Sequence, residues 1–469
     1  MIILICRNIN AFIALILLTL PCSQSHAAQP PINKSIDVLE SSFRSLSDAF
    51  YSDSSSYTEK SSQKHKNLEV LEKSINSLVL AKKPISAIQL IYSNLQTIND
   101  NIDTKAVQNI IELLLDQNDW KLANKLFLEI ESEGDDSLLA PVKFSFAKYY
   151  AHRQQWKQVI ELLDGTFSQL SDDNADYAYL LNGAALQHLK KHRLAVQSFE
   201  KISKQSQYYD YAQLNTAVAN IRQGWWTDAQ RRIGDLIKQS KKTNKDEITN
   251  RLYLILGYAL LQREFYRDAR NAFRHIGLNS RYTNRALLGI GLTATSQGDY
   301  IGGLNALTIL KDKKTFDLSV DESYLLVPYV YEKLQQELTV NTSYTEAMNY
   351  YQRRINKLDK ISAKHNDFAS ISYNAETMII LLQKNNLDYG SKYPASFISN
   401  FKQLHKYLEI SKSEKIKRKL TSLIKKYDVT FQKIINDLAA QRKEYLRSYL
   451  NQSRYGLARL YDNSKESNN

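Results

Sequence analysis

A pattern that recurs every 34 to 40 residues constrains this chain more than any other feature of its sequence. The segment RLYLILGYALLQREFYRDARNAFRHI places Gly257 and Ala269 twelve residues apart, with Phe273 and Ile276 behind them. The same spacing recurs in seven registers, whose first positions are Ile75, Ile111, Ala147, Gly183, Ala217, Gly257 and Gly291. Self-similarity at such a period predicts units that stack on their neighbours and share one continuous core.

The residues around this pattern predict helices. Only 14 Gly and 7 Pro occur in 469 residues, too few for the turns of a strand-rich architecture. A glycine inside a helix costs roughly 0.5–1 kcal/mol relative to alanine. That cost is offset where two helix backbones approach closely, and the polar turns QREFYRD, KKHR and QGDY separate the helices of each pair. The sequence therefore predicts an all-α chain built from antiparallel helix pairs.

The pattern resembles the tetratricopeptide repeat family. The small-residue positions of that family match Gly183, Ala195, Ala217, Ala229, Gly257, Ala269 and Gly291; its aromatic positions match Phe127, Phe199, Phe273, Tyr179 and Tyr253. The resemblance implies a right-handed α-solenoid, which we place at residues 67–360, although the proline that often ends each family repeat is absent. In the last, irregular unit, the insertion QELTVNTSY precedes Ala347 and Tyr351, which we assign to the second-helix positions.

The resemblance also implies a concave groove, lined by first helices, that binds a protein or peptide. The groove positions carried over from the family hold Lys148, His152, Tyr177, Gln187, His188, Tyr211, Arg222, Arg251, Tyr258, Gln262 and Arg285. Tyrosine and arginine are common in recognition surfaces. A further position holds Phe144, Leu180, Leu214, Leu254 and Leu288, which either give the groove an apolar strip or pack between helices.

Two segments flank the predicted solenoid. Residues 28–66 combine a probable linker, an amphipathic piece and a Ser-rich stretch, and we expect this segment to be partly flexible. Residues 361–469 form a helical region that ends in a long amphipathic helix over 412–461. This helix either packs along the solenoid or pairs with a partner helix. Its basic run at 412–426 is either a solvated face or a contact for an anionic membrane or glycan.

The first 27 residues have the pattern of a cleaved signal peptide. Arg7 precedes the apolar core AFIALILLTL, and SHA at 25–27 supplies small residues for cleavage after Ala27. Lipidation at Cys22 is the less favoured alternative, because Pro21 stands directly before it. Both cysteines, Cys6 and Cys22, lie in this segment, so the mature chain would have no disulfide and no thiol nucleophile. We expect the protein in the periplasm.

No motif predicts catalysis, a cofactor or a metal site. His188 and His192 are four apart in HLKKH, but Leu189 stands where a zinc hydrolase needs glutamate, and the two lysines repel a cation. The acidic stretch EIESEGDD reads as a solvated loop. The net charge of +13 favours an anionic partner, and export argues against nucleic acid.

These observations lead to three hypotheses. The first is a non-enzymatic periplasmic scaffold that binds a protein or peptide in its groove and supports assembly of an envelope complex. The second is a glycan-binding protein that assists the export of exopolysaccharide or cell-wall polymer. The third and least favoured is a hydrolase on a helical scaffold, since a pair of converging carboxylates cannot be read from a single sequence.

Overall fold

In a computed structural model, the chain is described over residues 30–58, 64–133, 136–242, 246–313, 315–363, 375–390 and 392–466. The predicted signal peptide, with both cysteines, lies outside these ranges. The described residues form 21 α-helices and one short 3-10 turn, with no strand among them. The prediction of an all-α solenoid is therefore confirmed. Within these ranges, no helix combines the length and apolar character needed to cross a membrane.

Eight antiparallel helix pairs make up the solenoid, and each helix packs against its neighbours in sequence. The pairs are α2 (Leu68–Leu80) with α3 (Pro84–Ser93), α5 (Lys105–Asp116) with α6 (Trp120–Glu133), α7 (Asp136–His152) with α8 (Trp156–Leu163), α9 (Asp172–His188) with α10 (His192–Phe199), α11 (Tyr209–Gln223) with α12 (Trp226–Lys242), α13 (Asp246–Gln262) with α14 (Tyr266–Arg274), α15 (Thr283–Ser296) with α16 (Tyr300–Lys311), and α17 (Leu318–Lys333) with α18 (Glu337–Ala363). The short α4 (Leu95–Asn99) follows the first pair.

The predicted close approach is present in the pairs whose first slot is a glycine. A Cβ atom added to Gly257 would lie 2.5 Å from Cε1 of Phe273, because the ring of the second helix rests directly on the glycine. The same ring also lies against Gly289 of the next pair. Gly183 meets Phe199 in the same way. The small residues are thus required by ring packing, and Phe273 joins one pair to the next.

We call the first position of each register the small-residue slot; in the first seven pairs it is Ile75, Ile111, Ala147, Gly183, Ala217, Gly257 and Gly291. Each pair turns at a residue in the left-handed backbone region, seven positions after this slot. These residues are Lys82, Asn118, Gln154, Lys190, Gly224, Glu264, Gly298 and Gln335. The amide that follows each of them bonds to a carbonyl five residues earlier, as Phe265 N does to Leu260 O at 3.0 Å. This is the hydrogen bond that ends a helix through a Schellman motif. A single turn geometry, repeated eight times, therefore sets the solenoid.

The eighth pair corrects one prediction from the sequence. Its turn residue is Gln335, so the small-residue slot falls on Pro328, and the slot twelve residues later, on the second helix, falls on Val340. The two second-helix slots are therefore Val340 and Tyr344, and assigning them to Ala347 and Tyr351 was wrong by seven residues. The segment QELTVNTSY is not an insertion, because the helix α18 begins at Glu337 within it.

The N-terminal segment is more ordered than predicted. Helix α1 spans Pro30–Thr58 and buries Phe43, Phe50 and Tyr51, each at most 1% exposed. The expectation of a flexible segment is wrong for these residues. Glu40 of α1 accepts hydrogen bonds from Arg153 Nε at 2.6 Å and from Asn400 Nδ2 at 2.7 Å, which ties α1 to the third pair and to the C-terminal region.

The C-terminal region contains α19 (Ala375–Lys384), α20 (Ala395–Ile410) and α21 (Glu414–Glu466). The last has 53 residues and a length of about 80 Å at 1.5 Å per residue. Its C-terminal half runs antiparallel to α18, with Tyr449 on Tyr351 and Lys443 on Asp359. Its N-terminal half packs on α1 and α20. One hydrophobic core therefore contains parts of the first three pairs, the last pair and α21. The long helix packs within the chain.

Candidate functional site

The predicted groove residues occupy one face of successive first helices. Relative to the small-residue slot, they stand mainly at positions −6, +1 and +5, and such spacings of seven and four repeat on one side of an α-helix. Contacts between neighbouring pairs support this arrangement. Lys148 of α7 forms an ion pair with Glu112 of α5, and Gln187 Nε2 of α9 donates to Asn215 O of α11 at 2.8 Å.

Several members of the predicted set are engaged in packing. Tyr258 is 1% exposed, and its hydroxyl donates to Arg285 O at 2.8 Å while its ring lies edge-on to Phe273. Tyr258 is a core residue, so its assignment to the groove was wrong. Tyr177 is half-buried between Phe144 and Tyr208, with ring centroids at 5.7 and 5.0 Å.

The apolar strip considered from the sequence does not line the surface. Phe144, Leu214, Leu254 and Leu288 are at most 3% exposed, and Leu180 is half-buried. These side chains pack between helices. The face that remains is therefore polar, aromatic and basic, without a continuous apolar strip.

Two histidines stand near one end of the first helices. His188 stacks on Trp156, with ring centroids 4.2 Å apart and 7° between the planes. Burial and the nearby charge of Arg222 lower the pKa of His188, so its ring is neutral at pH 7. Burial and Arg153 likewise lower the pKa of His152. Neither side chain adds to the positive charge of the face at neutral pH.

The side chains left for recognition form what we call the first-helix face. Tyr211 is 50% exposed, Gln262 is exposed, and three arginines are half-buried. The face consists of Tyr211, Arg222, Arg251, Gln262 and Arg285. Its arginines are half-buried, and the guanidinium of Arg285 lies over the ring of Tyr258 at 5.7 Å from the ring centroid. Such a face suits an anionic or polar segment.

A second candidate site was missed by sequence reasoning. Residues of α10, α11 and α12 line a cleft of about 580 Å³. The cleft is lined by Tyr209, Gln213 and Asn220 of α11, together with arginines and carboxylates of the two flanking second helices. Trp225 stands at its edge, 45% exposed.

Asn220 is the unusual residue of this cleft. It is 3% exposed, and its Oδ1 has no hydrogen-bond partner. The other seven first helices hold apolar or aromatic residues at the matching position, namely Leu78, Leu114, Tyr150, Leu186, Leu260, Ala294 and Tyr331. An unpaired buried amide oxygen costs stability. A comparison of the repeats at this position would have flagged Asn220 from the sequence.

The charged groups of the cleft are largely paired with each other. Arg232 donates to Glu200 Oε1 at 2.9 Å and also bonds to Gln213, and Arg231 donates to Asp228 Oδ1 at 2.8 Å. The cleft is therefore polar with little net charge. No cluster of three metal-binding side chains occurs in the part of the chain that the structure describes. Neither candidate site brings together a nucleophile and a base.

Comparisons with known proteins give only distant likenesses. No family model matches the chain, and no curated protein matches it. Among solved structures, the apo form of RapI shares 12% identity at a TM-score of 0.45, covering 76% of this chain and 98% of its own. A Rap protein complexed with competence and sporulation factor shares 13% at 0.31, covering 76% and 99%. A circular tandem repeat protein shares 11% at 0.12, covering 93% and 99%. These likenesses go no further than helical repeats.

Proposed function

We propose that the protein is a non-enzymatic scaffold that binds an acidic segment of a protein or peptide on its first-helix face. The observation that carries this proposal is the set of three half-buried arginines on successive first helices, together with the exposed ring of Tyr211. Guanidinium groups form bidentate hydrogen bonds with carboxylates, and a tyrosine adds contact area at low entropic cost. A rigid helical repeat presents such groups at a regular spacing.

The proposal includes the periplasm as the site of action and an envelope complex as the setting. It is supported by the charged start, apolar core and SHA cleavage pattern of residues 1–27. Mass spectrometry of the protein from the periplasmic fraction should find an N-terminus at Ala28. A full-length N-terminus in the cytosolic fraction would refute this part, and a lipid-modified Cys22 would favour the lipoprotein alternative.

The test of partner binding compares two triple charge reversals. The first changes Arg222, Arg251 and Arg285 to Glu on the first-helix face. The matched control reverses the same number of exposed cations on second helices, namely Lys238, Arg267 and Arg274. Both variants lower the net charge equally, so a general electrostatic effect would act on both. Cross-linking of the wild type in cells first identifies the partner and its contact segment. The affinity for a synthetic peptide with the sequence of that segment should then fall only in the first variant.

Binding of an acidic glycan is the second candidate function, and the net charge of +13 is the observation that favours it. A polyanion held by general charge would be released by salt and weakened equally by both triple variants. Retention of alginate with that behaviour, and no protein partner, would replace the scaffold proposal. A protein partner lost from the first variant alone would support it.

A further inference from the structure

We propose that the cleft between α10, α11 and α12 is a second binding site, which takes a neutral saccharide. It is lined by one side of the first helix α11 and by the two flanking second helices, and none of its lining residues belongs to the first-helix face. The inference therefore stands whether or not the scaffold proposal does. Three features of the cleft carry it: an unpaired buried acceptor, a balanced set of planar polar groups, and an exposed indole ring.

The acceptor is Asn220 Oδ1. Its side chain is 3% exposed and the oxygen lacks a partner, although the seven matching positions hold apolar or aromatic residues. Buried polar groups in folded proteins are nearly always hydrogen-bonded, and Asn220 belongs to the lining of the cleft, so a donor bound there would complete the bonding of this oxygen. A sugar hydroxyl supplies such a donor and also accepts, as a serine hydroxyl does.

The surrounding groups are balanced in charge. Three arginines, Arg193, Arg231 and Arg232, face three carboxylates, those of Glu200, Asp228 and Asp235. With no net charge, the cleft does not favour a polyanion. Paired guanidinium and carboxylate groups offer fixed donors and acceptors side by side. A polyol can bond to both kinds, and hydrogen bonds to charged groups are the stronger ones.

Trp225 supplies the apolar surface. Gly224, with φ +78°, ends α11, and the amide of Trp225 then bonds to Asn220 O at 2.9 Å. This turn places Trp225 in the lining of the same cleft as Asn220. A flat exposed ring can cover the C–H face of a sugar while the hydroxyls reach polar groups. The two aliphatic residues of the lining, Val196 and Leu236, are buried. The cleft therefore lacks the apolar subsite that anchors a peptide side chain.

The experiment uses the purified full chain on an array of neutral and acidic oligosaccharides, followed by calorimetric titration of the best neutral probe. The test variant is Asn220→Leu, which installs the residue found at four matching positions and should not disturb the fold. Trp225→Ala is the second variant. Asn271→Ala, on the exposed side of α14, is the control. Circular dichroism checks the fold of each protein.

We expect a neutral oligosaccharide to bind the wild type and the control equally, with a loss of about tenfold or more in both cleft variants. The proposal is overturned if no neutral saccharide on the array binds, or if binding survives in both cleft variants. Loss of sugar binding with intact partner binding would separate this site from the first-helix face.

Discussion

Replacement of Arg442 by Met should destabilise the protein far more than replacement of its neighbour Lys443. Arg442 of α21 forms an ion pair with Asp321 of α17, whose side chain is 0% exposed. Asp321 also accepts a hydrogen bond from the Tyr350 hydroxyl at 2.5 Å, and Arg354 Nε lies 3.7 Å away. The cluster therefore joins the long helix to both helices of the last pair.

The magnitude follows from the charge that would be left behind. Removing one partner of a buried ion pair typically costs about 3–5 kcal/mol, because the other charge stays buried without compensation. Arg354 and Tyr350 still contact Asp321, so we expect the lower end, about 3 kcal/mol. Lys443 pairs with Asp359, whose side chain is 51% exposed, and such a pair is worth about 1 kcal/mol or less.

The assay is urea unfolding at neutral pH, followed by circular dichroism, for Arg442→Met, Lys443→Met and the double variant Asp321→Asn with Arg442→Met. The double variant removes the uncompensated carboxylate but leaves the buried guanidinium of Arg354 without its acidic partner, so it should recover little of the loss. If Arg442→Met costs no more than Lys443→Met, then α21 does not dock on α17 as described. The reasoning would then be refuted, and the alternative of a helix that pairs with another chain would gain support.

Three further outcomes are expected. Burial raises the pKa of Glu322 to about 8, so the native state holds a proton that the unfolded state releases above its ordinary value of 4.5. Glu322 should therefore lower the stability as pH rises from about 4.5 to 8, by up to about 5 kcal/mol, and Glu322→Gln should remove this share of the slope in pH-dependent urea unfolding. Burial also raises the pKa of Asp119 to about 7 and of Asp48 to about 6, so their shares of the slope should remain. A slope unchanged in the variant would contradict the assignment. Gly257→Val should cost about 1–3 kcal/mol because its side chain meets the Phe273 ring, and Phe273→Leu should restore part of it in thermal melts; additive losses would count against that contact. Asn220→Leu should raise the free energy of unfolding by about 1–3 kcal/mol, the cost of the unpaired amide oxygen; a loss of stability would show that the amide has a structural partner.

Sequence reasoning was most reliable where the interactions are local. Gly257 and Ala269 lie twelve residues apart on two helices joined by one short turn, so their contact is fixed by chain geometry. The same logic placed the two helices of each of the first seven pairs. It failed in the eighth pair, because Ala347 and Tyr351 are also buried on α18 and match the same apolar pattern two helical turns later. Only the turn at Gln335 distinguishes the two registers.

The candidate sites divide in the same way. Position in the repeat predicts Tyr211 and Arg251 on a first-helix face, since spacing alone selects the side of a helix, and the structure leaves Tyr211 exposed and Arg251 half-buried. Position did not reveal that Tyr258 turns into the core, where it fills space beside Phe273. It did not reveal the cleft at Asn220 either, because the cleft exists only when α10, α11 and α12 are packed together.

By itself, the sequence determined that the chain is all-α and that its helices pair at a regular period, because short-range spacing of small and apolar residues decides both. Only the tertiary structure decided where α1 and α21 lie. Tyr407 of α20 bonds to Ser47 of α1 at 2.8 Å across 360 residues, and Arg442 meets Asp321 across 121. An amphipathic helix shows that it has a face to bury. What covers that face depends on distant segments that meet only when the solenoid has formed.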